Sequence, residues 1–110
     1  MLEDTLSKLE TRIQNAGNLR DENRAELMQL ISQLKAEVSG LSKTHEEQAQ
    51  SIASFAELST HEAMRESKNP ETLKHSTEGL TSSVDEFEKT HPQLVAIVNR
   101  IATTLSNMGI

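Results

Sequence analysis

The chain has 110 residues, a formal net charge of −6, 35% hydrophobic residues, 2% aromatic residues and no cysteine. That length suits one domain, residues 1–110, with a modest core, and the missing thiols exclude disulfides, cysteine nucleophiles and thiolate-bound zinc. The charges are interspersed with a small acidic excess, so there is no basic face for a phosphate backbone or an anionic bilayer, and neither nucleic acid nor membrane is an expected partner.

The opening MLEDTLSKLE places Glu3 and Asp4 where a secretory leader carries positive charge, and the longest apolar run, LVAIV at 94–98, is too short to span a bilayer. The expected location is the cytoplasm. Apolar residues recur in alternating steps of four and three, the spacing of one helical face, and no stretch sustains the alternation of a strand. The expected fold class is therefore all-α, an extended helical hairpin or bundle.

Leu2, Leu6, Leu9 and Ile13 share one face of a first helix over about 2–16, and Gly17 with Asn15 and Asn18 supplies its stop. Asp21 suits the N-cap of the next helix, with Glu22 in the first turn. From there Leu27, Ile31, Leu34, Val38 and Leu41 form a seam that continues in phase through His45, Gln48, Ile52, Phe55 and Ser59. The stretch VSGLSKTHEE offers a break, because Gly40 can end a helix and Thr44 with Glu47 has capping-box spacing. The unbroken phase favours one long central helix over about 21–66, weakened near Gly40, above two separate helices. At about 1.5 Å per residue that rod would be about 65 to 70 Å long.

Ala49, Ala53, Ala56 and Ala63 make a small-residue stripe beside Ile52 and Phe55. It lets another helix approach closely, and these six residues are the candidate interaction face; alanine's helix propensity explains the stripe equally well. His45 and Gln48 form a candidate polar layer in the seam, able to set register or respond to pH if buried. Exposure beside a bend is the plainer reading of both.

SKNPE is the clearest turn, with Asn69 as cap and Pro70 at the first helical position. A helix over about 70–89 turns Leu73, Leu80, Val84 and Phe87 inward, and its Ser76, Thr77, Gly79, Thr81, Ser82 and Ser83 make it the least stable element. His91 ahead of Pro92 caps a last helix over about 92–108, where Leu94, Val98, Ile101, Leu105 and Met108 repeat the four-three steps. In the final NMGI, Gly109 can take the left-handed geometry that ends a helix while Ile110 packs back on Leu105, so Leu105, Gly109 and Ile110 form an expected C-terminal stop.

Without cysteine, any metal or acid–base chemistry falls to histidines and carboxylates. Glu57 and His61, and Glu71 and His75, stand one turn apart, and Glu88 and His91 have the Glu-x-x-His spacing of di-iron bundles. A di-iron centre needs two such pairs and two further inward glutamates, so these pairs read as neighbours on acidic helix surfaces. No catalytic, cofactor-binding or metal-ligating residue is assigned from spacing, and no cofactor is expected.

The run FEKTHPQLVAIVNRIATTLSNMGI resembles the C-terminus of a family of small, uncharacterised bacterial proteins, a domain of unknown function. The matching positions are Phe87, Glu88, His91, Pro92, Leu94, Asn107, Met108, Gly109 and Ile110. The opening LEDTLSKLETRIQNAGNLRDENRAELMQLISQL is similar to that family's leucine-rich first hairpin. The resemblance implies a bacterial, cytoplasmic, all-helical protein and carries no activity with it.

The expected function is a non-enzymatic helical scaffold, adaptor or regulatory interaction module that self-associates, most simply as a homodimer, since helices with one narrow apolar stripe find further partner surface in a second copy. The alternatives are a carboxylate-histidine metal-binding protein or small enzyme, and a peripheral membrane or granule-coating protein. Scarce aromatic and basic residues weigh against the last.

Overall fold

Each amphipathic segment of the sequence becomes a helix. The computed structural model describes residues 2–108, and among them the elements are α1 (Leu2–Asn15), α2 (Asp21–Leu41), α3 (Glu46–Met64), α4 (Pro70–Ser82), a single 3₁₀ turn (Asp85–Phe87) and α5 (Pro92–Met108). The fold is all-α. Two antiparallel hairpins, α1–α2 and α3–α4, are bound together by α5, which packs on α2, α3 and α4, while α1 also touches α3. The seams meet in one core: Leu6, Leu9 and Ile13 of α1, Leu27, Ile31, Leu34 and Val38 of α2, Ile52 of α3, Leu80 of α4 and Leu94, Val98, Ile101 and Leu105 of α5 are all withdrawn from solvent. The Cα radius of gyration is 12.9 Å, close to the roughly 13 Å of a compact chain this long.

The long helix expected over 21–66 is instead two helices, broken at residues 42–45. The break lies just past Gly40, which is itself helical. The last turn of α2 is closed by Ser42 N to Val38 O (2.9 Å) and His45 N to Leu41 O (2.8 Å), and the Ser42 hydroxyl donates to Ser39 O at 2.9 Å. Hydroxyls that bond the preceding turn compete with helix continuation. His45 then leaves helical geometry at φ −136°, ψ 62°, and it is His45, with no side-chain capping bond, that precedes α3. Packing favours the break, because it frees α3 to lie against α1, α4 and α5 as well as α2. The largest dimension is consequently 37 Å, and the extended rod is replaced by a short bundle.

Two further expectations change in detail. The helix placed over 70–89 stops at Ser82, and Val84 and Phe87 reach the core through the 3₁₀ turn. Ser76, Thr77, Thr81 and Ser83 each donate to the carbonyl three residues earlier, at 2.6 to 3.1 Å, the local competition that makes such residues poor helix formers. The stop after α1 is not a left-handed glycine, since no described glycine has positive φ. The Arg24 guanidinium serves there, donating to Ile13 O (3.3 Å), Leu19 O (3.2 Å) and Ala16 O, and to Asp21 Oδ1 at 2.7 Å. Asp21 is thus Arg24's partner, and α2 has no side-chain cap. Asn69 caps α4 as expected, its Oδ1 accepting from Glu71 N at 3.0 Å and Thr72 N at 3.3 Å.

Candidate functional site

The alanine stripe lies inside the molecule. Ala49, Ile52, Ala53, Ala56 and Ala63 are fully buried in the core that α3 shares with the chain's other helices, and only Phe55 remains half-exposed. The close approach foreseen for an outside helix is made by α4: a Cβ on Gly79 would stand 2.7 Å from Cδ1 and 2.9 Å from Cζ of Phe55. The stripe also encloses Ser59, whose buried Oγ has no hydrogen-bond partner among the described residues. Leu105 is buried as expected, whereas Gly109 and Ile110 of the proposed stop lie outside the described residues. The carbonyl of Met108 accepts from Lys68 Nζ at 3.3 Å, and the same ammonium caps Ala63 O at 2.5 Å, joining the ends of α3 and α5.

His45 and Gln48 do not form a layer within a continuous seam; both are half-buried at the α2–α3 break. His45 meets residues far along the chain. Its ring lies 5.3 Å from Phe87 and 6.5 Å from His91, and Phe87 lies 5.4 Å from His91, all at near-perpendicular angles. Thr44 Oγ1 is 2.8 Å from His45 Nδ1, and Thr90 Oγ1 is 2.9 Å from His91 Nδ1. The break that ends α2 and the proline start of α5 therefore bring two histidines, each preceding a helix, against one buried phenyl ring. Sequence reasoning missed this corner, although Lys-Thr-His occurs twice, at 43–45 and 89–91.

A second polar cluster surrounds Glu62 of α3, which is 8% exposed. Its Oε1 accepts from Thr72 Oγ1 at 2.5 Å and Arg65 Nη1 at 2.9 Å. The Thr72 hydrogen bond, then the Arg65 hydrogen bond and charge, hold the carboxyl below its usual range against the opposing effect of burial. His61 Nε2 stands 4.0 Å from Glu62 Oε2, while His61 Nδ1 lies 3.3 Å from Arg12 Nη2 of α1. The ion-pair contacts of His61 and His75 go to Glu62 and Glu78, not to the carboxylates one turn before them. No group of three or more histidines and carboxylates suited to a metal ion occurs among the described residues.

Outside these clusters, a groove of about 340 Å³ runs between α2 and α5, lined by Gln33, Ala36, Glu37, Gln93, Ala96, Ile97 and Arg100. The two helices are antiparallel, since Glu26 early in α2 approaches Arg100 (3.9 Å) and Thr104 (3.3 Å) late in α5. Glu37 thus sits toward the Gln93 end and Arg100 toward the Gln33 end. No described helix is long and apolar enough to cross a membrane.

This arrangement is that of a small all-α protein built from two helical hairpins clasped by a fifth helix. The chain belongs to the family described as "Domain of unknown function (DUF4404)", whose model matches residues 29–110. The match begins inside α2, so the resemblance of the N-terminal hairpin rests on residues largely before it. No curated protein and no solved structure gives a significant match.

Proposed function

We propose that the protein is a non-enzymatic helical interaction module, a scaffold, adaptor or regulator, that self-associates through the groove between α2 and α5. The groove itself carries the reading: Ala36, Ala96 and Ile97 give it an apolar floor, while Glu37 and Arg100 lie toward opposite ends. A two-fold axis running across the helices would lay one groove on another copy's groove end for end. Glu37 of each copy would then face Arg100 of the other, the self-complementarity that an isologous interface requires. The buried alanine stripe has no part in this interface. The cytoplasm is the location this reading takes.

Light scattering across micromolar concentrations should give the mass of a dimer, and Ala96→Arg should return a monomer with an unchanged helical spectrum. A monomeric wild type across that range refutes the reading.

A further inference from the structure

We propose that His45 and His91 together bind a borderline transition-metal ion of the zinc class, with water completing the coordination sphere. The two imidazoles come from opposite halves of the sequence, yet each is delivered in the same way: a Lys-Thr-His tripeptide immediately before a helix, with the threonine hydroxyl on histidine Nδ1. Metal-binding histidines characteristically have one ring nitrogen held by a neighbour while the other faces the ion. At His45 the hydrogen bonds permit the tautomer that binding needs. Thr44 Oγ1 donates to Leu41 O at 3.5 Å, which leaves its oxygen free to accept from His45 Nδ1–H and leaves Nε2 with its lone pair.

Phe87 fixes the placement of both rings. It is 3% exposed, and each imidazole packs against it at near-perpendicular angles, so neither histidine swings as freely as a surface side chain. Zn–N bonds of about 2.0 to 2.1 Å set two imidazole centroids about 5 to 6 Å apart across one ion. The observed 6.5 Å requires a closure of about 0.5 to 1.5 Å, within reach of small rotations of two half-buried side chains. Imidazole donors without thiolates suit zinc, copper and nickel and do not suit magnesium or calcium. The site is independent of self-association, because both ligands belong to one chain.

Calorimetric titration of the untagged full chain with zinc chloride at neutral pH tests it. One zinc per chain should bind, with a rise in Tm on loading. His45→Gln and His91→Gln should each weaken binding by about tenfold or more, whereas His61→Gln and His75→Gln should leave it unchanged. Thr44→Val should weaken it by about tenfold with both ligands intact, and Thr44→Ser should restore it. Circular dichroism confirms that each variant is folded. Absence of saturable uptake by the wild type at millimolar zinc, or uptake that survives in the His45→Gln/His91→Gln double variant, overturns the proposal.

Discussion

Two residues of the α3–α4 contact show how local chemistry and close packing pull against each other. Glycine within a helix ordinarily costs about 1 kcal/mol relative to alanine, yet Gly79 admits the Phe55 ring to a space that a methyl group would occupy. Overpacking of this kind costs about 1 to 3 kcal/mol, so Gly79→Ala should lower stability by about 1 kcal/mol net despite its better propensity. Urea denaturation of Gly79→Ala in the wild-type and Phe55→Ala backgrounds checks this, since without the ring the same substitution should become stabilising. Equal effects in both backgrounds would show that Phe55 is not the obstacle. Ser59 presents the opposite case, a buried hydroxyl with no partner among the described residues and hence a desolvation cost of about 1 to 3 kcal/mol. Ser59→Ala should therefore stabilise by about 1 kcal/mol and raise Tm by about 4 °C or more. A lower Tm would mean that the hydroxyl is hydrogen-bonded in solution.

At the level of elements, apolar periodicity covered every helical segment, while joining α2 to α3 and extending α4, and identified most of the buried side chains, because burial of one stripe is what makes each segment a helix. The Asn69-Pro70 start and the Pro92 start were legible for the same local reason. The interruption at 42–45 was legible only as the lesser alternative that Gly40 and the Thr44–Glu47 spacing offered, since the seam keeps its phase across it and the hydroxyl bonds that end α2 leave no mark on hydrophobic spacing. The His45–Phe87–His91 corner was out of sight: it exists only because the helix breaks there and brings residue 45 to residue 91. The end of α1 was legible in position but not in mechanism, whereas α2 and α4 end well before their expected limits, at Leu41 and Ser82. Asn15 closes α1 near Gly17 as expected, yet the carbonyls that follow Leu9 are capped by Arg24 from the next helix. Arg24→Met keeps the aliphatic stem and removes every donor. With hydrogen bonds from a charged group contributing about 1.5 to 3 kcal/mol, it should destabilise by about 2 kcal/mol and speed amide exchange at the end of α1. Unchanged exchange there would show that water caps those carbonyls equally well.

For the molecule as a whole, stability depends on polar ties that join elements the hydrophobic core brings together. Glu62 is the clearest, because its carboxylate connects α3 to Thr72 of α4 and stands beside His61, which contacts Arg12 of α1. Its carboxyl is held below the usual range, first by the Thr72 hydrogen bond and then by Arg65, so the folded state favours the ionised form more than the unfolded chain does. The sign follows from linkage: this contribution is fully present above the unfolded carboxyl value, about 4.3, and is lost as pH falls through the lower folded value. Glu62→Gln keeps an amide oxygen that can accept from Thr72 and Arg65 while removing the charge. The urea midpoint of the wild type should therefore exceed that of Glu62→Gln at neutral pH, and the two should converge as pH falls below about 4. A difference that stays constant from neutral to acidic pH would show that Glu62 acts through shape alone, and that its charge does not help hold α3 and α4 together.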